Sequence, residues 1–283
     1  MEEIKLISLD LDGTLLNSKK TISERNVEAL QACAEKGIEI VPTTGRTVDG
    51  IPESIKQLPG VHYAITTNGA VIADLANNKI LDRRMLDWRK AAELLAFVDS
   101  YPVMYDPYIN GRGISESKFF DHMNQFGIPE EIQKLVFVTR DVVPNIIEYV
   151  KEKQSPVEKI NLFFKEPDLR SQIRDQLKEF TGILVTSSMP FNLEINHPDA
   201  TKGNGILRLA SILGLKKAQT MAFGDGENDL SMIQEAEIGV AMENGVDEAK
   251  AAADYITVSN DADGVAAALE CFVLGQDGSR SWT

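Results

Sequence analysis

Residues 4–16 read IKLISLDLDGTLL, and the rest of the chain is organised around this stretch. Its first half is an apolar run rich in leucine and isoleucine, which predicts a strand buried on both faces of a sheet. The run ends on Asp10 and Asp12, and Gly13 then permits a sharp turn. Two carboxylates at the carboxyl end of a buried strand are costly unless a cation or a substrate compensates them. The stretch therefore predicts a metal-assisted active site on Asp10 and Asp12.

Two other interpretations of this stretch compete with an active site. Asp-Gly is a common turn dipeptide, so one aspartate could simply cap the loop. A calcium loop would need Glu at its twelfth position, which is Thr21 when counted from Asp10, and a helix in front of it. The calcium loop is therefore disfavoured, whereas the turn remains open until the rest of the chain is considered.

The composition narrows the class of protein. The 283 residues are 43% hydrophobic and 25% charged, as in ordinary globular proteins with an apolar core. The net charge of −14 argues against nucleic-acid binding, because such surfaces neutralise phosphates with Lys and Arg. Two cysteines, Cys33 and Cys271, cannot form a disulfide framework. The acidic N-terminus is unlike a signal peptide, and no apolar run approaches the roughly 20 residues that span a bilayer. We therefore expect a cytoplasmic monomer or homodimer that binds neither membrane nor nucleic acid.

Two segments, residues 1–83 and 196–283, alternate short apolar runs with helical spacing. In the first segment we predict a helix over 23–36, strands at 38–44 and 63–66, and a helix from about 46 to 57 between those strands. This alternation predicts a Rossmann-like α/β core with a parallel sheet. The last residues, 275–283, are predicted to form a polar tail.

Residues 84–195 follow a different pattern, in which short strands and helices are mixed with hairpins. Strands are predicted at 135–138 and 160–164, and helices at 88–98 and 142–153. The pattern predicts a separate α+β domain inserted into the α/β core.

Three further motifs follow predicted strands or precede a helix. Residues 43–46 read TTGR, residues 201–203 read TKG and residues 224–229 read GDGEND. Lys202 would lie near a helix N-terminus, where free N–H groups also favour an anion. If a helix begins near Asp225, Asn228 and Asp229 face the same direction. Each motif alone could be a turn, a solvated charge or a cap, and their joint occurrence favours one shared site.

Competing phosphate and metal motifs are absent from the sequence. The glycines at 224 and 226 lack the third glycine of the dinucleotide fingerprint, and no loop ends in Gly-Lys-Ser/Thr. His62, His122 and His197 are isolated and have no zinc-site spacing.

The reaction that these candidate residues support together is phosphoryl transfer. Oxygen-only ligands from Asp10, Asp12 and Asp225 suit Mg²⁺. The Thr44 hydroxyl and the Lys202 ammonium would hold phosphoryl oxygens. Asp10 could then attack phosphorus, and Asp12 could protonate the leaving group and later activate water.

These motifs resemble the haloacid dehalogenase superfamily, in particular its Cof-type sugar phosphatases with a type IIB cap. The resemblance covers nearly the whole chain and implies that the insert, residues 84–195, is the cap. It implies that Asp10 is the nucleophile and a magnesium ligand. It also implies that Asp12 is the general acid and base and offers its backbone carbonyl to the metal. The other implied roles are magnesium binding by Asp225, support by Asp229 and Arg46, and phosphate binding by Leu11, Thr44, Gly45, Lys202 and Asn228.

The cap of such an enzyme closes over the site and chooses the leaving group. Candidate specificity residues in the insert are Tyr105, Arg112, Asn161 and Glu194. We therefore predict a Mg²⁺-dependent phosphatase of small phosphorylated metabolites, with sugar phosphates preferred. A phosphomutase with the same chemistry and a non-catalytic phosphometabolite-binding protein are the alternatives, and a protein phosphatase is disfavoured because a large cap restricts access.

Overall fold

The computed structural model describes residues 2–275, apart from the side chains of residues 131 and 135. The predicted tail therefore lies outside the described residues from position 276 onward. The strands of the described chain, in order, are β1 Leu6–Leu9, β2 Glu39–Pro42, β3 Tyr63–Thr66, β4 Val71–Asp74, β5 Lys79–Arg83, β6 Met104–Ile109, β7 Arg112–Glu116, β8 Arg140–Val143, β9 Ile160–Phe163, β10 Leu184–Thr186, β11 Asn192–Asn196, β12 Thr220–Gly224, β13 Ile238–Met242 and β14 Tyr255–Thr257.

The helices between these strands are mostly short. The α-helices are α1 Glu24–Glu35, α2 Glu53–Lys56, α3 Trp88–Val98, α4 Ser117–Phe120, α5 Glu130–Thr139, α6 Ile146–Lys153, α7 Pro167–Leu177, α8 Lys202–Ile212, α9 Leu230–Glu235, α10 Asp247–Ala252 and α11 Gly264–Leu269. Single 3₁₀ turns occur at Val48–Gly50, Thr67–Gly69, Met123–Phe126, Lys217–Gln219, Glu227–Asp229 and Asn260–Ala262, and a π-helical turn at Glu270–Leu274. None of the helices in this part of the chain combines the length and the apolar character that crossing a bilayer requires.

The chain divides into two compact units. The first contains the described residues up to Gly45, then Ile51–Arg83 and the described residues from Thr201. The second contains Arg46–Gly50 and Arg84–Ala200.

A five-stranded parallel sheet in the order β14-β13-β12-β1-β2 is the centre of the first unit. Alternate residues of β1 point to opposite faces. Ile7 and Leu9 pack in the hydrophobic cluster that includes α1 and α11, whereas Leu6 packs in the cluster that includes α8 and α9. Burial on both faces explains the continuous apolar run of β1. The predicted α/β fold class is confirmed.

The segment after β2 differs from the sequence prediction. In place of one helix to about residue 57, a 3₁₀ turn at Val48–Gly50 and the four-residue α2 lie on either side of Pro52. A proline lacks the N–H that an uninterrupted helix needs, and here it precedes the first residue of α2. Strand β3 joins an antiparallel sheet in the order β3-β4-β5, and a single parallel bridge links Ile65 to Thr43 after β2.

The second unit contains a six-stranded sheet in the order β10-β11-β9-β6-β7-β8. Helices α3, α6 and α7 contribute to one hydrophobic cluster with this sheet. The prediction of a strand at 135–138 is wrong, because these residues form the end of α5, and β8 follows directly. Residues 142–153 are likewise not one helix: β8 runs to Val143, and α6 begins at Ile146 after the N-cap Asn145. A four-residue apolar run fits a strand and a buried helical turn equally well.

Candidate active site

Asp10 lies directly after β1, at the carboxyl edge of the parallel sheet. Its N–H continues the sheet by donating to the Phe223 carbonyl of the adjacent β12 at 3.0 Å. The chain then turns at Gly13, whose φ of +88° favours glycine, and Leu15 N–H donates back to the Asp10 carbonyl at 3.2 Å. The Leu11 carbonyl accepts from Leu16 N–H at 2.8 Å, and its side chain is buried. The turn thus holds Asp10 at the strand end with its side chain almost fully buried.

Lys202 brings two distant carboxylates together. It is the first residue of α8, where the Thr201 hydroxyl caps the helix by accepting from Asn204 N–H at 3.0 Å. Its Nζ lies 2.5 Å from Asp10 Oδ1 and 2.5 Å from Asp229 Oδ1, and its side chain is fully buried. Burial opposes the ammonium, but the two carboxylates outweigh burial and raise the pKa of Lys202. Lys202 is therefore a charged link within the site.

Asp225 follows β12 and is held by the first motif of the chain. The Thr14 hydroxyl donates to Asp225 Oδ1 at 2.7 Å. A Cβ added to Gly13 would lie 2.4 Å from Asp225 Oδ2, so this carboxylate packs where only glycine leaves room. Asp229 completes the loop, because its Oδ2 accepts from the N–H groups of Asp225 and Gly226 at 2.9 and 2.8 Å.

Among the described residues, Asp10, Asp225 and Asp229 form a cluster with carboxylate oxygens within 4.8 Å of one another. Three carboxylates beside one ammonium have a formal charge of −2 when all are ionised. Burial, with the charge of Asp229, raises the pKa of Asp225 to about 7. Burial also raises the pKa of Asp10, although Lys202 opposes the shift. The excess negative charge in a buried, oxygen-only cluster fits a hard divalent cation.

The Asp12 carboxylate is not a member of this cluster. Asp12 Oδ1 lies 2.8 Å from Lys20 Nζ, and both side chains are partly exposed. Its predicted roles as general acid and base and as a metal ligand stay predictions, and the resemblance assigns the metal contact to its backbone carbonyl.

The TTGR motif follows β2 at the same edge of the sheet. Thr44 is buried; its N–H donates to the Ile65 carbonyl at 2.9 Å, and its carbonyl accepts from Asn68 N–H at 3.1 Å. Gly45 is the last residue of the N-terminal segment of the first unit. Arg46 belongs to the second unit, where its Nη1 donates to the Gly50 carbonyl at 3.0 Å.

Asn228 does not lie in a regular helix with Asp225. A 3₁₀ turn at Glu227–Asp229 precedes α9, and Asn228 Nδ2 donates to Asn68 Oδ1 at 3.2 Å, whereas Asp229 contacts Lys202. The helical conformation therefore begins at Glu227 and not at Asp225, and the side chains of Asn228 and Asp229 have different partners.

Asn68 and Thr14 were missed as site residues by the sequence analysis. Thr67, Asn68 and Gly69 all have positive φ, at 48°, 60° and 94°, which turns the chain sharply after β3. A Cβ on Gly69 would lie 2.1 Å from the Thr201 carbonyl, so this turn packs directly against the start of α8. The Asn68-Gly69 dipeptide after a predicted strand was the available signal.

The specificity residues predicted in the insert fall on different parts of the second unit. Asp106, Asn161 and Glu194 are cross-strand partners on β6, β9 and β11, so they form one buried row on one face of the sheet. Tyr105 points to the opposite face, where its ring packs in the hydrophobic cluster and its hydroxyl donates to Asp99 at 2.6 Å. Arg112 lies at the partly exposed start of β7 and pairs with Asp141 at 2.9 Å.

The row belongs to a buried polar network. Arg140 Nε lies 2.6 Å from Asp106 Oδ2, and Arg140 also bonds the Tyr108 hydroxyl, which accepts from Asn161 Nδ2 at 3.0 Å. Lys159 lies 2.5 Å from Glu194 Oε1. Asn161 Oδ1 is buried and accepts no hydrogen bond from the described part of the chain. A buried acceptor without a donor is costly, so this atom is suited to a donor from a ligand.

A family model for haloacid dehalogenase-like hydrolases matches residues 7–269, which include every element of the site. The chain belongs to this family. This membership confirms the resemblance inferred from the motifs and the prediction that the chain is an enzyme of the hydrolase class.

Individual members of the haloacid dehalogenase-like family are similar over nearly the full length. The 5-amino-6-(5-phospho-D-ribitylamino)uracil phosphatase YcsE of Bacillus subtilis is 30% identical over 272 residues, which cover 96% of this chain and 97% of that protein. The phosphatase YwpJ of the same organism is 31% identical over 283 residues, covering 93% and 98%. A solved structure described as a subclass IIB sugar phosphatase superposes with a TM-score of 0.80 at 26% identity, covering 95% of this chain and 98% of that one.

Proposed function

We propose that this hydrolase is a Mg²⁺-dependent phosphatase that acts on small phosphorylated metabolites, with sugar and polyol phosphates as its preferred class. The observation that carries the proposal is the buried carboxylate Asp10, held by Lys202 in a cluster with Asp225 and Asp229. A similar protein is named for a phosphorylated ribityl compound and another is described as a sugar phosphatase. Both names describe phosphate esters of polyhydroxylated carbon chains.

The donor set supports magnesium as the cofactor. Asp10 and Asp225 would hold the ion with the backbone carbonyl of Asp12, and the excess charge of the cluster matches a dication. Asp229 fits a supporting role better, because its two oxygens already accept from Lys202 and from two backbone N–H groups. When bound, Mg²⁺ would reduce the repulsion between an anionic phosphate and an anionic nucleophile.

The residues of the chain suit a two-step transfer. In the first step a carboxylate oxygen of Asp10 attacks phosphorus, the bond from phosphorus to the ester oxygen breaks, and Asp12 gives its proton to that oxygen. In the second step Asp12 takes a proton from water, whose oxygen attacks phosphorus and releases Asp10. Lys202, Thr44 and Asn228 would bind the phosphoryl oxygens, and Lys202 also fixes the orientation of Asp10 through Oδ1.

The second unit would supply substrate selection as a cap. In its buried row, Asn161 Oδ1 and Asp106 Oδ1 accept no hydrogen bond from the described residues, and both oxygens can accept from hydroxyl groups. A polyhydroxylated leaving group has many such donors, which supports sugar and polyol phosphates over apolar esters.

Phosphate release from a panel of hexose, pentose, polyol and nucleotide phosphates tests the proposal, with Mg²⁺ or with EDTA. The variants are Asp10→Asn and, as a matched control, Asp168→Asn on the exposed first turn of α7. We expect release that requires Mg²⁺, falls by at least about 10³-fold in Asp10→Asn and is unchanged in Asp168→Asn. Turnover that survives in Asp10→Asn would contradict the covalent mechanism. Isomerised sugar phosphates without free phosphate would favour the phosphomutase, and binding without any reaction would favour a phosphometabolite-binding protein.

A further inference from the structure

Residues 17–21, which we call the Asn17 turn, follow the catalytic motif and are fixed by one side chain. Asn17 Oδ1 accepts hydrogen bonds from the N–H groups of Lys19 and Thr21 at 3.0 and 3.1 Å. The backbone closes the same turn, since Asn17 N–H donates to the Thr21 carbonyl at 3.0 Å and Lys20 N–H to the Asn17 carbonyl at 2.9 Å. The side chain of Lys20 therefore leaves the turn from a defined position.

Other parts of the first unit anchor the beginning of the Asn17 turn. Ser18 N–H donates to Asp261 Oδ1 at 2.8 Å. Asn260 Nδ2 donates to the carbonyl of Leu16, the residue before the turn, at 2.9 Å. Lys20 itself has a φ of +59°, a left-handed conformation that is unfavourable for a residue with a Cβ. The hydrogen bonds of the Asn17 turn hold Lys20 in this conformation.

The side chain of Lys20 extends from the Asn17 turn to the carboxylate of Asp12. Two lysines contact three of the four carboxylates of the site: Lys202 contacts Asp10 and Asp229, and Lys20 contacts Asp12 at 2.8 Å. The Asp12 carboxylate lies outside the cluster of Asp10, Asp225 and Asp229, although its negative charge acts on Asp225. We propose that Lys20 is a positioning residue that holds the Asp12 carboxylate apart from the buried carboxylates and presents it for proton transfer.

This inference rests on the proposed function, because it assigns Lys20 a role through Asp12. An Asp12 side chain that turned into the cluster would add a fourth carboxylate to a site that already has excess negative charge. There the Asp12 carboxylate would compete with the other carboxylates for Lys202 and for the cation. It would also lie too far from the ester oxygen to give that oxygen a proton. The pair with Lys20 is partly exposed, with side chains 53% and 40% accessible, so it is weak enough for Asp12 to exchange partners during turnover.

Two phosphate esters with different proton demands test the role of Lys20. The p-nitrophenolate ion leaves without a proton at neutral pH, whereas the alkoxide of sorbitol 6-phosphate needs one from Asp12. The measured quantity is the ratio of kcat/KM for the alkyl ester to kcat/KM for the aryl ester, which reports the first transfer only. We expect Lys20→Met to lower this ratio about tenfold or more, a part of the 10² to 10⁴ that a general acid contributes. Lys20→Arg should retain most of the wild-type ratio. Lys19→Met, at an exposed neighbouring residue, should change the ratio less than twofold.

A double-mutant cycle separates positioning from a general structural effect. In an Asp12→Asn background, Lys20→Met should cause no further fall in the ratio, because Lys20 acts through Asp12. Two results would overturn the proposal. One is a ratio that Lys20→Met leaves unchanged, as when both esters lose activity equally, and the other is an additive loss in the Asp12→Asn background.

Crystal structures of wild type, Lys20→Met and Lys19→Met test whether Lys20 positions Asp12 without any measurement of activity. We expect the Asp12 carboxylate to leave its wild-type position in Lys20→Met and to keep it in Lys19→Met. If wild type released phosphate from neither ester, the proposed function would fail while these structures still tested the positioning. An Asp12 carboxylate that stays in place in Lys20→Met would overturn the role of Lys20.

Discussion

The ammonium of Lys202 lies 2.5 Å from Oδ1 of Asp10, although 192 residues separate them in sequence. Lys202 is the first residue of α8, and Asp10 follows β1, so the contact links a helix start to a strand end. The same ammonium contacts Asp229, and all three side chains are largely buried. A single buried cation thus orients the proposed nucleophile and partly balances the cluster.

Removing this cation should destabilise the metal-free protein strongly. Lys202→Met leaves two buried carboxylates without their partner, and breaking a buried pair in this way costs about 3–5 kcal/mol of the free energy of unfolding. Urea unfolding in EDTA, followed by far-UV circular dichroism, measures the effect, with Lys19→Met as an exposed control. The transition midpoints are compared, because a chain of two units need not unfold in one step. A Lys202→Met midpoint equal to that of Lys19→Met would refute the role of Lys202 in balancing the cluster.

Asp225 should make the metal-free protein less stable as the pH rises. The pKa of Asp225 is about 7 in the folded protein and about 3.9 in an unfolded chain, so the folded state holds the proton over this interval. Its stabilising contribution is therefore present below about pH 4 and is lost as the pH rises towards 7. In EDTA, the melting temperature of wild type should fall more between pH 5 and pH 7.5 than that of Asp225→Asn. Parallel pH curves for the two proteins would contradict this assignment.

Gly13→Ala should damage the site beyond the cost of its backbone conformation. Gly13 and Gly37 both have positive φ, at 88° and 74°, but an added Cβ meets Asp225 at Gly13 and open space at Gly37. Both alanine variants should lose about 1–2 kcal/mol of stability from the left-handed conformation. Only Gly13→Ala should also displace Asp225, and we expect its phosphatase activity to fall about 100-fold, since small misplacements have effects of this size. Equal activities of the two variants would show that the close approach to Asp225 has no functional weight.

Asn161→Ala should change which substrates are preferred. Asn161 is buried in the row with Asp106 and Glu194, whereas Arg112 is partly exposed and paired with Asp141. Loss of one hydrogen bond to a leaving group corresponds to roughly tenfold in kcat/KM for the substrates that make it. We therefore expect the ranking of the phosphate panel to change in Asn161→Ala and to stay the same in Arg112→Ala. A ranking that changes only in Arg112→Ala would move the specificity site to the start of β7.

Much of the first unit could be predicted because its signals are local. The apolar run of β1, the N-cap Ser23 and the helical spacing after it each depend on neighbouring residues, and α1 begins directly after that cap. Local signals also misled the prediction in the second unit. The apolar run at 135–138 was interpreted as a strand, because so short a segment carries no periodicity that distinguishes a strand from a helical turn. The helix expected up to residue 57 was interrupted at Pro52, a local signal that the prediction overlooked.

The sequence by itself determined that acidic, hydroxyl and cationic residues follow strands and begin a helix, because turn chemistry and apolar periodicity are encoded in adjacent residues. Only the tertiary structure decided the partners: Lys202 between Asp10 and Asp229, Lys20 on Asp12, and Asn68 on Asn228 across 160 residues. It also decided that Asn161 and Tyr105 face opposite sides of one sheet. Such pairings depend on strand register and on how helices pack against the sheet, and these are properties of the whole fold and not of any short stretch.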